Sequence, residues 1–201
     1  MVIKIPLYGA FLEYSYLYVD PKTSHAFLID PGFSYLNILD VINQNRVTVD
    51  AILITHGHFD HIGAVNDLRE ILNVKVYSYS SEYLENPHLN LSYGHNIIIK
   101  DTYRLGDIIR LDSNKDFYLK VLYAPGHTKD SVIYYNEDDK VAFVGDVIFK
   151  DSYGRFDFPG GNRDELFDTI KNKVLKMDPE MILYNGHTIE VKVKDEIKNY
   201  L

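Results

Sequence analysis

Hydrophobic and polar positions in the N-terminal part of the chain follow the pattern of β-strands. Ile3 and Ile5 flank Lys4, and two apolar runs follow at 16–19 and 26–29. The polar segment between these runs contains a proline and predicts a turn, which would pair the two runs as a hairpin. The chain is therefore expected to begin with strands.

The hydrophobic period then changes to that of an α-helix. Apolar residues recur at helical spacing within 33–43 and again within 62–72. Between these helices, the apolar run 51–54 predicts a buried strand, and a short strand is predicted at 74–77. The next segment, 80–96, has no clean period, so we expect a loop or short helices that lie over the functional site and not in the core.

The second half of the chain repeats this order of strands followed by helices. Asn162 and Glu165 form a capping-box pattern for one helix, 181–184 predicts a strand, and the tail from Thr188 predicts a C-terminal helix. The preceding strands are predicted at 108–111, 117–123, 132–135 and 141–144.

The strands thus come in two batches, each finished by helices. This order predicts the α/β class, with two mixed β-sheets packed face to face and helices outside, an αββα sandwich. The length favours a single domain over residues 1–201.

Composition narrows the range of partners. The net charge is −8, which argues against nucleic acid and favours a small-molecule substrate. No run approaches the length of a membrane span, and the N-terminus lacks the uninterrupted apolar segment of a signal peptide, so we expect a cytoplasmic protein without a membrane partner. Whether the protein is a monomer or a homodimer stays open.

The strongest chemical signal is the segment 55–61, with the sequence THGHFDH. It lies between a predicted buried strand and a predicted helix. A tight turn there can aim His56 and His58 at one point, and Asp60 and His61 at a neighbouring one. Imidazole and carboxylate suit zinc, iron or manganese, and the chain has no cysteine to compete. The alternative is a solvated turn, but three of the eight histidines fall in this segment, which favours a metal site.

Three further candidates, His127, Asp146 and His187, each come after a predicted strand and directly after a glycine. The glycines let the backbone turn tightly and approach a metal. An apolar strand runs into Gly-His-Thr both in 121–128 and in 181–188, which suggests that strand ends converge on one edge. Asp146 is the natural bridge between two ions, because a carboxylate offers one oxygen to each.

In identity, spacing and order, these residues resemble the ligand pattern of the metallo-β-lactamase superfamily. The early motif DPG at 30–32 is a further match, and the resemblance covers essentially the whole chain. It implies the αββα fold and two divalent ions, with zinc expected and iron or manganese as alternatives. Carried over by position, His56, His58 and His127 would hold the first ion and Asp60, His61 and His187 the second, with Asp146 bridging.

The segment 152–161 is similar to one found in glyoxalase II-like hydrolases and in persulfide dioxygenases of this fold. There, the residue corresponding to Arg155 helps to hold a glutathione-type thiol, so Arg155 and the nearby Tyr153 are expected to bind substrate. The alternative is a glycine-rich structural loop in which Arg155 pairs with a nearby acid. Because the chain ends soon after His187, we expect it to be a short single-domain member without the C-terminal helical domain that completes the glutathione site.

The resemblance implies hydrolysis of a small acyl thioester by a metal-bridging hydroxide, with Asp60 orienting this nucleophile and handling its proton. One alternative is a mononuclear iron persulfide dioxygenase, with the iron held by His56, His127 and Asp146. Another is a phosphodiesterase or nuclease, which the net charge of −8 disfavours. The non-enzymatic alternative, a metal store or sensor, is disfavoured by the complete ligand set.

Overall fold

The first half of the chain forms a six-stranded mixed sheet. The structure, a computed structural model, describes residues 1–9 and 11–200. The strands pair in chain order; the contacts up to β3 are antiparallel and those from β3 onward are parallel. They are β1 (Val2–Tyr8), β2 (Leu12–Val19), β3 (His25–Ile29), β4 (Thr48–Leu53), β5 (Lys75–Ser78) and β6 (Tyr103–Arg104).

The second half forms another six-stranded mixed sheet and a small two-stranded ribbon. Its strands are β7 (Ile108–Arg110), β8 (Tyr118–Tyr123), β9 (Val132–Asn136), β10 (Val141–Gly145), β11 (Ile148–Phe149), β12 (Ser152–Tyr153), β13 (Ile182–Asn185) and β14 (Val191–Lys192). The sheet order is β14-β13-β10-β9-β8-β7, and β11 pairs with β12 in the ribbon. The β10–β13 contact is parallel, whereas the other pairs are antiparallel.

Helices cover the outer faces of both sheets. The α-helices are α1 (Tyr35–Asn45), α2 (Phe59–Ile62), α3 (Val65–Leu72), α4 (Glu82–Glu85), α5 (Arg163–Asn172) and α6 (Val193–Glu196), with 3₁₀ turns at Tyr93–His95, Val174–Lys176 and Ile197–Asn199. Among the described residues, no helix has both the length and the apolar character needed to cross a membrane.

Alternation along the strands builds the layers. In β2, Leu17 and Val19 pack with α1 and α3 on the outer face, whereas Tyr16 and Tyr18 point at the second sheet. In β10, Ala142 and Val144 pack toward α5, while Val141 and Phe143 face inward. Both faces of each sheet are covered, which explains the nearly continuous apolar runs of the central strands. The predicted αββα sandwich is confirmed.

The layer between the sheets is rich in tyrosine. The Tyr16 hydroxyl in the first sheet donates to Asn185 O in the second at 2.5 Å. In the opposite direction, the Tyr134 hydroxyl donates to Ile54 O at 2.7 Å. These bonds satisfy buried hydroxyls and tie each sheet to a strand end of the other.

Two helix predictions need correction. The helix predicted at 62–72 is split, because α2 begins at Phe59 and ends before Gly63. A Cβ atom at Gly63 would lie 2.1 Å from Gly32 O, so the chain approaches residues 30–32 closely at this break. The C-terminal helix predicted from Thr188 is also shorter: β14 pairs with β13 first, and helix begins only at Val193.

At the start of α5, the Asn162 side chain caps the helix as predicted, but the reciprocal bond from the Glu165 side chain is replaced. Asn162 Oδ1 accepts hydrogen bonds from the backbone N–H groups of Asp164 at 2.9 Å and Glu165 at 3.2 Å. The backbone N–H of Asn162 is bound to Gly126 O at 2.8 Å instead of to the Glu165 side chain. This bond fastens the helix start to the turn that carries His127.

The segment 80–96 contains short helices, as predicted, but it is also part of the core. Leu84 is fully buried in the cluster between the first sheet and its helices, and Tyr83 and Asn90 are buried as well. The expectation that this segment lies outside the core is therefore wrong. Only Leu91 from this segment reaches the cavity described below.

Candidate metal centre

The segment 55–61 is held between the two sheets. Ile54 O accepts from the Tyr134 hydroxyl, and Thr55 O accepts from Val132 N at 2.8 Å. The N–H of Phe59, at the start of α2, donates to Asn90 O at 2.8 Å. As a result, His56 and His58 precede α2 while Asp60 and His61 lie in its single turn.

Three histidines form the first donor set. His127 Nε2 lies 3.2 Å from His56 Nε2 and 2.9 Å from His58 Nδ1. Three nitrogen ligands placed tetrahedrally around one zinc ion at 2.0–2.1 Å would lie about 3.3 Å apart. The spacing of these nitrogens therefore fits one metal ion, and all three side chains are buried.

Asp60, His61 and His187 form the second donor set. His187 Nε2 lies 3.4 Å from Asp60 Oδ2 and 3.1 Å from Asp146 Oδ2. Asp146 also lies 3.3 Å from His61 Nε2 and 3.7 Å from His127 Nε2, so its carboxylate contacts both sets. The structure thus brings together all seven residues that the sequence predicted as ligands.

Buried donor atoms without hydrogen-bond partners are a second feature that fits bound ions. Among the residues that the structure describes, His61 Nε2 and Asp146 Oδ1 are buried and lack a hydrogen-bond partner. Buried polar atoms without partners are costly, and both atoms face the space between the sets. Metal ions there would satisfy them, so the cluster fits a two-metal centre.

Burial prepares the first set for metal binding. It lowers the pKa of His56 well below its ordinary value, lowers the pKa of His58 to about 3, and lowers the pKa of His127. These imidazoles are therefore neutral at pH 7, which is the form that donates a lone pair to a metal.

The histidines of the second set have raised pKa values instead. Burial opposes protonation of His187 and His61, but the Asp146 carboxylate outweighs it; the pKa of His187 rises to about 10, and that of His61 rises well above its ordinary value. Burial would raise the pKa of Asp146, yet His61 and His187 lower it well below its usual range. A divalent cation at this set must displace protons from the histidines, so its binding should release protons.

Glycines bring the strand ends close to the cluster, as the sequence suggested. Gly126 and Gly145, which precede His127 and Asp146, have φ values of +130° and +50°, in the region that favours glycine. Gly186 has no positive φ, but a Cβ atom there would lie 2.4 Å from Asp146 Oδ1. A larger side chain would displace the Asp146 carboxylate.

Asp30 orients the second set, a role that the sequence did not reveal. Its Oδ2 atom lies 2.9 Å from His61 Nδ1 and accepts from the Thr55 hydroxyl at 2.5 Å, while its Oδ1 atom accepts from Thr55 N at 2.7 Å. With Nδ1 bound in this way, His61 turns Nε2 toward Asp146. Asp30 can also be grouped with His56 and His61, but its oxygens are occupied, so it acts as a positioning residue.

Two other histidines are oriented by backbone carbonyls. His127 Nδ1 donates to Arg155 O at 2.7 Å, and His187 Nδ1 donates to Leu12 O at 2.8 Å. Both bonds leave Nε2 free for a metal. Carbonyl groups leave no trace in a sequence pattern, so these partners could not have been predicted.

Glu13 is a second carboxylate beside His61 that the sequence left unassigned. It is fully buried, its Oε1 atom lies 3.7 Å from His61 Nδ1, and neither oxygen has a hydrogen-bond partner among the described residues. Burial raises its pKa well above the ordinary value. The only sequence signal was a glutamate within an apolar strand.

A cavity of about 420 Å³ opens beside the donor sets. Tyr153 and Arg155, the predicted substrate-binding residues, both lie on its wall. The Arg155 guanidinium forms a two-pronged ion pair with Asp157, with Nε–Oδ1 at 2.9 Å and Nη2–Oδ2 at 2.6 Å, and lies over the Phe158 ring. The other lining residues outside the donor sets are apolar: Phe11, Leu12, Phe59, Leu91, Phe149 and Phe158.

Curated relatives cover most of the chain. It is 36% identical over 175 residues to the probable metallo-hydrolase YqgX of Bacillus subtilis, with 84% of this chain and 82% of that protein aligned. It is 31% identical over 172 residues to the hydroxyacylglutathione hydrolase GloC of Haemophilus influenzae, with 81% and 80% aligned.

Solved structures share the fold over nearly the whole chain. The B3 metallo-beta-lactamase BLEG-1 superposes with a TM-score of 0.90 at 31% identity, covering 98% of this chain and 97% of that one. TTHA1623 in a di-iron-bound form gives 0.85 at 31%, covering 98% of each. ETHE1 from Myxococcus xanthus gives 0.78 at 27%, covering 98% and 83%.

The sequence pattern of one family matches residues 8–187, from the end of β1 to the last predicted ligand. This match includes all seven donor residues and the Asp30 segment. It agrees with the relatives, with the sandwich of two mixed sheets and with the cluster that fits two ions. The chain belongs to the metallo-beta-lactamase superfamily.

Proposed function

We propose that the protein is a metal-dependent hydrolase of small acyl thioesters, with two divalent ions and zinc as the expected metal. The observation that carries this proposal is the pair of donor sets that share Asp146 beside an open cavity of about 420 Å³. The similarity to GloC, which is named a hydroxyacylglutathione hydrolase, supports the thioester class.

The two ions would be held by the donor sets described above. Two divalent ions that share a water molecule lower its pKa toward neutrality and stabilise negative charge on a carbonyl oxygen. The first ion would be held by His56, His58 and His127 and the second by Asp60, His61 and His187, with Asp146 common to both.

Asp60 is the residue that we assign to the nucleophilic water. Its carboxylate lines the cavity, close to both Asp146 and His187. Burial alone would raise the pKa of Asp60, but the contact with His187 outweighs this effect and lowers it. The carboxylate is then ionised at neutral pH, so it can orient the water and accept its proton.

The cavity favours a leaving group that needs little protonation. Outside the donor sets, Tyr153 and Arg155 are the only lining residues in the described chain that carry a dissociable side-chain proton. A thiol has a much lower pKa than an amine or an alcohol, so a thiolate departs without a dedicated acid. This argument supports thioesters over amides.

Arg155 and Tyr153 would bind the thiol part of the substrate. Asp157 engages the Nε and one Nη2 proton of Arg155, and a guanidinium has five N–H donors. The remaining donors can hold an anionic group of the thiol. Arg155→Ala should raise KM for a thioester with an anionic thiol but not for a neutral analogue. Equal effects on both substrates would leave Arg155 a purely structural role.

Metal analysis and turnover test the main proposal together. Protein purified without chelator should contain two metal ions per chain and release thiol from acyl thioesters. Asp146→Ala should lose both ions and activity, whereas the matched control His25→Ala should keep both. His25 Nδ1 lies 2.5 Å from Asp50 Oδ1, and this pair is not part of either donor set. Two bound ions with no hydrolysis of any thioester would refute the proposed substrate class.

The same experiments address the mononuclear dioxygenase alternative. In that case a single iron would remain bound in His187→Ala, and this variant would keep its activity. The 2.9 Å approach of His58 to His127 and the presence of a full second set support the two-metal hydrolase instead. The nuclease alternative has little support, because Arg155 is the only arginine or lysine of the cavity lining in the described chain and the net charge is −8.

A further inference from the structure

The cavity has two chemically different walls, one beside each donor set. Arg155 and Phe158 belong to the wall beside the first set: Arg155 O binds His127 Nδ1, and the Phe158 ring lies 5.7 Å from the His58 ring. This wall carries Arg155, the only arginine or lysine of the cavity lining in the described chain.

The other wall lies beside the second set, and its side chains outside that set are apolar. Leu12 O binds His187 Nδ1, and the Phe149 ring lies 5.8 Å from the His187 ring. Phe11 lines the cavity next to Leu12. The side chains of Phe11, Leu12 and Phe149 form what we call the apolar wall.

This wall exposes more apolar surface than folding requires. Phe11, just before β2, is 60% exposed, and Leu12, the first residue of β2, is 42% exposed, although the residues that follow in β2 are mostly buried. A phenylalanine and a leucine left open at the mouth of a cavity mark a surface that a ligand covers. The hydrophobic effect then favours a ligand that presents apolar surface to them.

We propose that the apolar wall binds the acyl group of the substrate, and that this group is an aliphatic chain or an aromatic ring. The inference rests on the proposed function, because the reacting carbonyl must lie between the donor sets. With the anionic thiol on the Arg155 side, the acyl group extends toward Phe11, Leu12 and Phe149. The protein should therefore prefer medium-length or aromatic acyl groups to acetyl or small hydroxyacyl groups.

Binding of straight-chain carboxylates tests the wall without relying on turnover. Acetate, butanoate, hexanoate and octanoate are titrated calorimetrically into zinc-loaded protein, since each carboxylate is the acid product of one acyl group. Complete burial would strengthen binding roughly fourfold per methylene, so a half-open wall should give about twofold. An affinity that does not depend on chain length would overturn the inference.

Three variants connect this dependence with the wall. Phe11→Ala and Phe149→Ala should each lower the octanoate-to-acetate affinity ratio about fivefold. Tyr8→Ala is the matched control, because Tyr8 lies on the same hairpin, is 76% exposed and does not line the cavity. An equal loss in Tyr8→Ala, or no loss in either phenylalanine variant, would refute the assignment.

Hydrolysis of acetyl to octanoyl thioesters of one thiol separates the two proposals. If kcat/KM rises with chain length and Phe11→Ala flattens the rise, the apolar acyl group is supported. If all four thioesters are hydrolysed equally, the acyl assignment fails while the proposed function stands. If none is hydrolysed but carboxylate affinity still follows chain length, the apolar wall stands and the thioester proposal fails.

Discussion

Replacing Asp30 with asparagine should weaken the second metal site selectively. Asp30 Oδ2 holds His61 Nδ1 at 2.9 Å and the Thr55 hydroxyl at 2.5 Å, and Oδ1 accepts from Thr55 N. If the asparagine oxygen keeps the bond from Thr55 N, its NH₂ group must face His61 Nδ1. An NH₂ group can only donate, so His61 must carry its proton on Nε2, the atom that faces Asp146.

The expected loss of metal affinity follows from the changed orientation of His61. Changing the partner that fixes a metal-ligating histidine typically costs about 10–100-fold in metal affinity. We expect the second ion to be weakened by this factor and the first ion to change little. Backbone strain should not contribute, because Asp30 has φ +48° and asparagine tolerates this region as well as aspartate.

Chelator competition on metal-loaded protein measures the two affinities, and ¹⁵N NMR reports the tautomer of His61. Asp50→Asn is the matched control, since it breaks a carboxylate–histidine pair with His25 outside the centre. Thermal unfolding with chelator present shows whether each variant folds. A second ion held within about threefold of wild type, with His61 Nε2 unprotonated, would refute the reasoning.

Three other perturbations test different parts of the structure. Tyr83→Phe removes a hydroxyl that donates to Pro159 O at 3.2 Å and accepts from Lys129 N at 3.4 Å. The free energy of unfolding in urea should therefore fall by about 1–3 kcal/mol, and an unchanged value would contradict this. Burial raises the pKa of Asp130 to about 7, so wild-type stability should decrease as the pH rises from about 4 to 7, by about 4 kcal/mol relative to Asp130→Asn; parallel pH profiles in urea titrations would contradict it. Removing metal with chelator should lower the thermal midpoint by on the order of 10 °C, and an unchanged midpoint would argue against ions bound in the folded state.

The donor residues could be predicted because their signal is local. His56, His58, Asp60 and His61 lie within six positions after a buried strand, and the later candidates each follow a strand and a glycine. Convergence of strand ends is a property of sheet architecture, so a correct strand order was enough to expect one site. The two sheets could be predicted from the alternation of apolar and polar residues and from the order of strands and helices along the chain.

The features that the sequence did not reveal depend on contacts between distant segments. The break between α2 and α3 arises where Gly63 meets the backbone of Gly32, and periodicity across 62–72 carries no information about that encounter. The strand β14 forms at the start of the predicted tail helix because β13 offers a free edge. The ion pair between Arg155 and Asp157 is different, because the sequence left open the pairing of Arg155 with a nearby acid.

The inter-sheet tyrosines explain how a site built from both sheets keeps its geometry. Tyr16 of the first sheet binds Asn185 O, two residues before His187, and Tyr134 of the second sheet binds Ile54 O, two residues before His56. A tyrosine of each sheet therefore fixes a strand end of the other sheet, and that strand end carries a predicted metal ligand. A shift of one sheet against the other would stretch these buried bonds and pull apart the donor atoms within both sets. The two bonds between the sheets thus fix the spacing of the strand ends that carry the donor atoms.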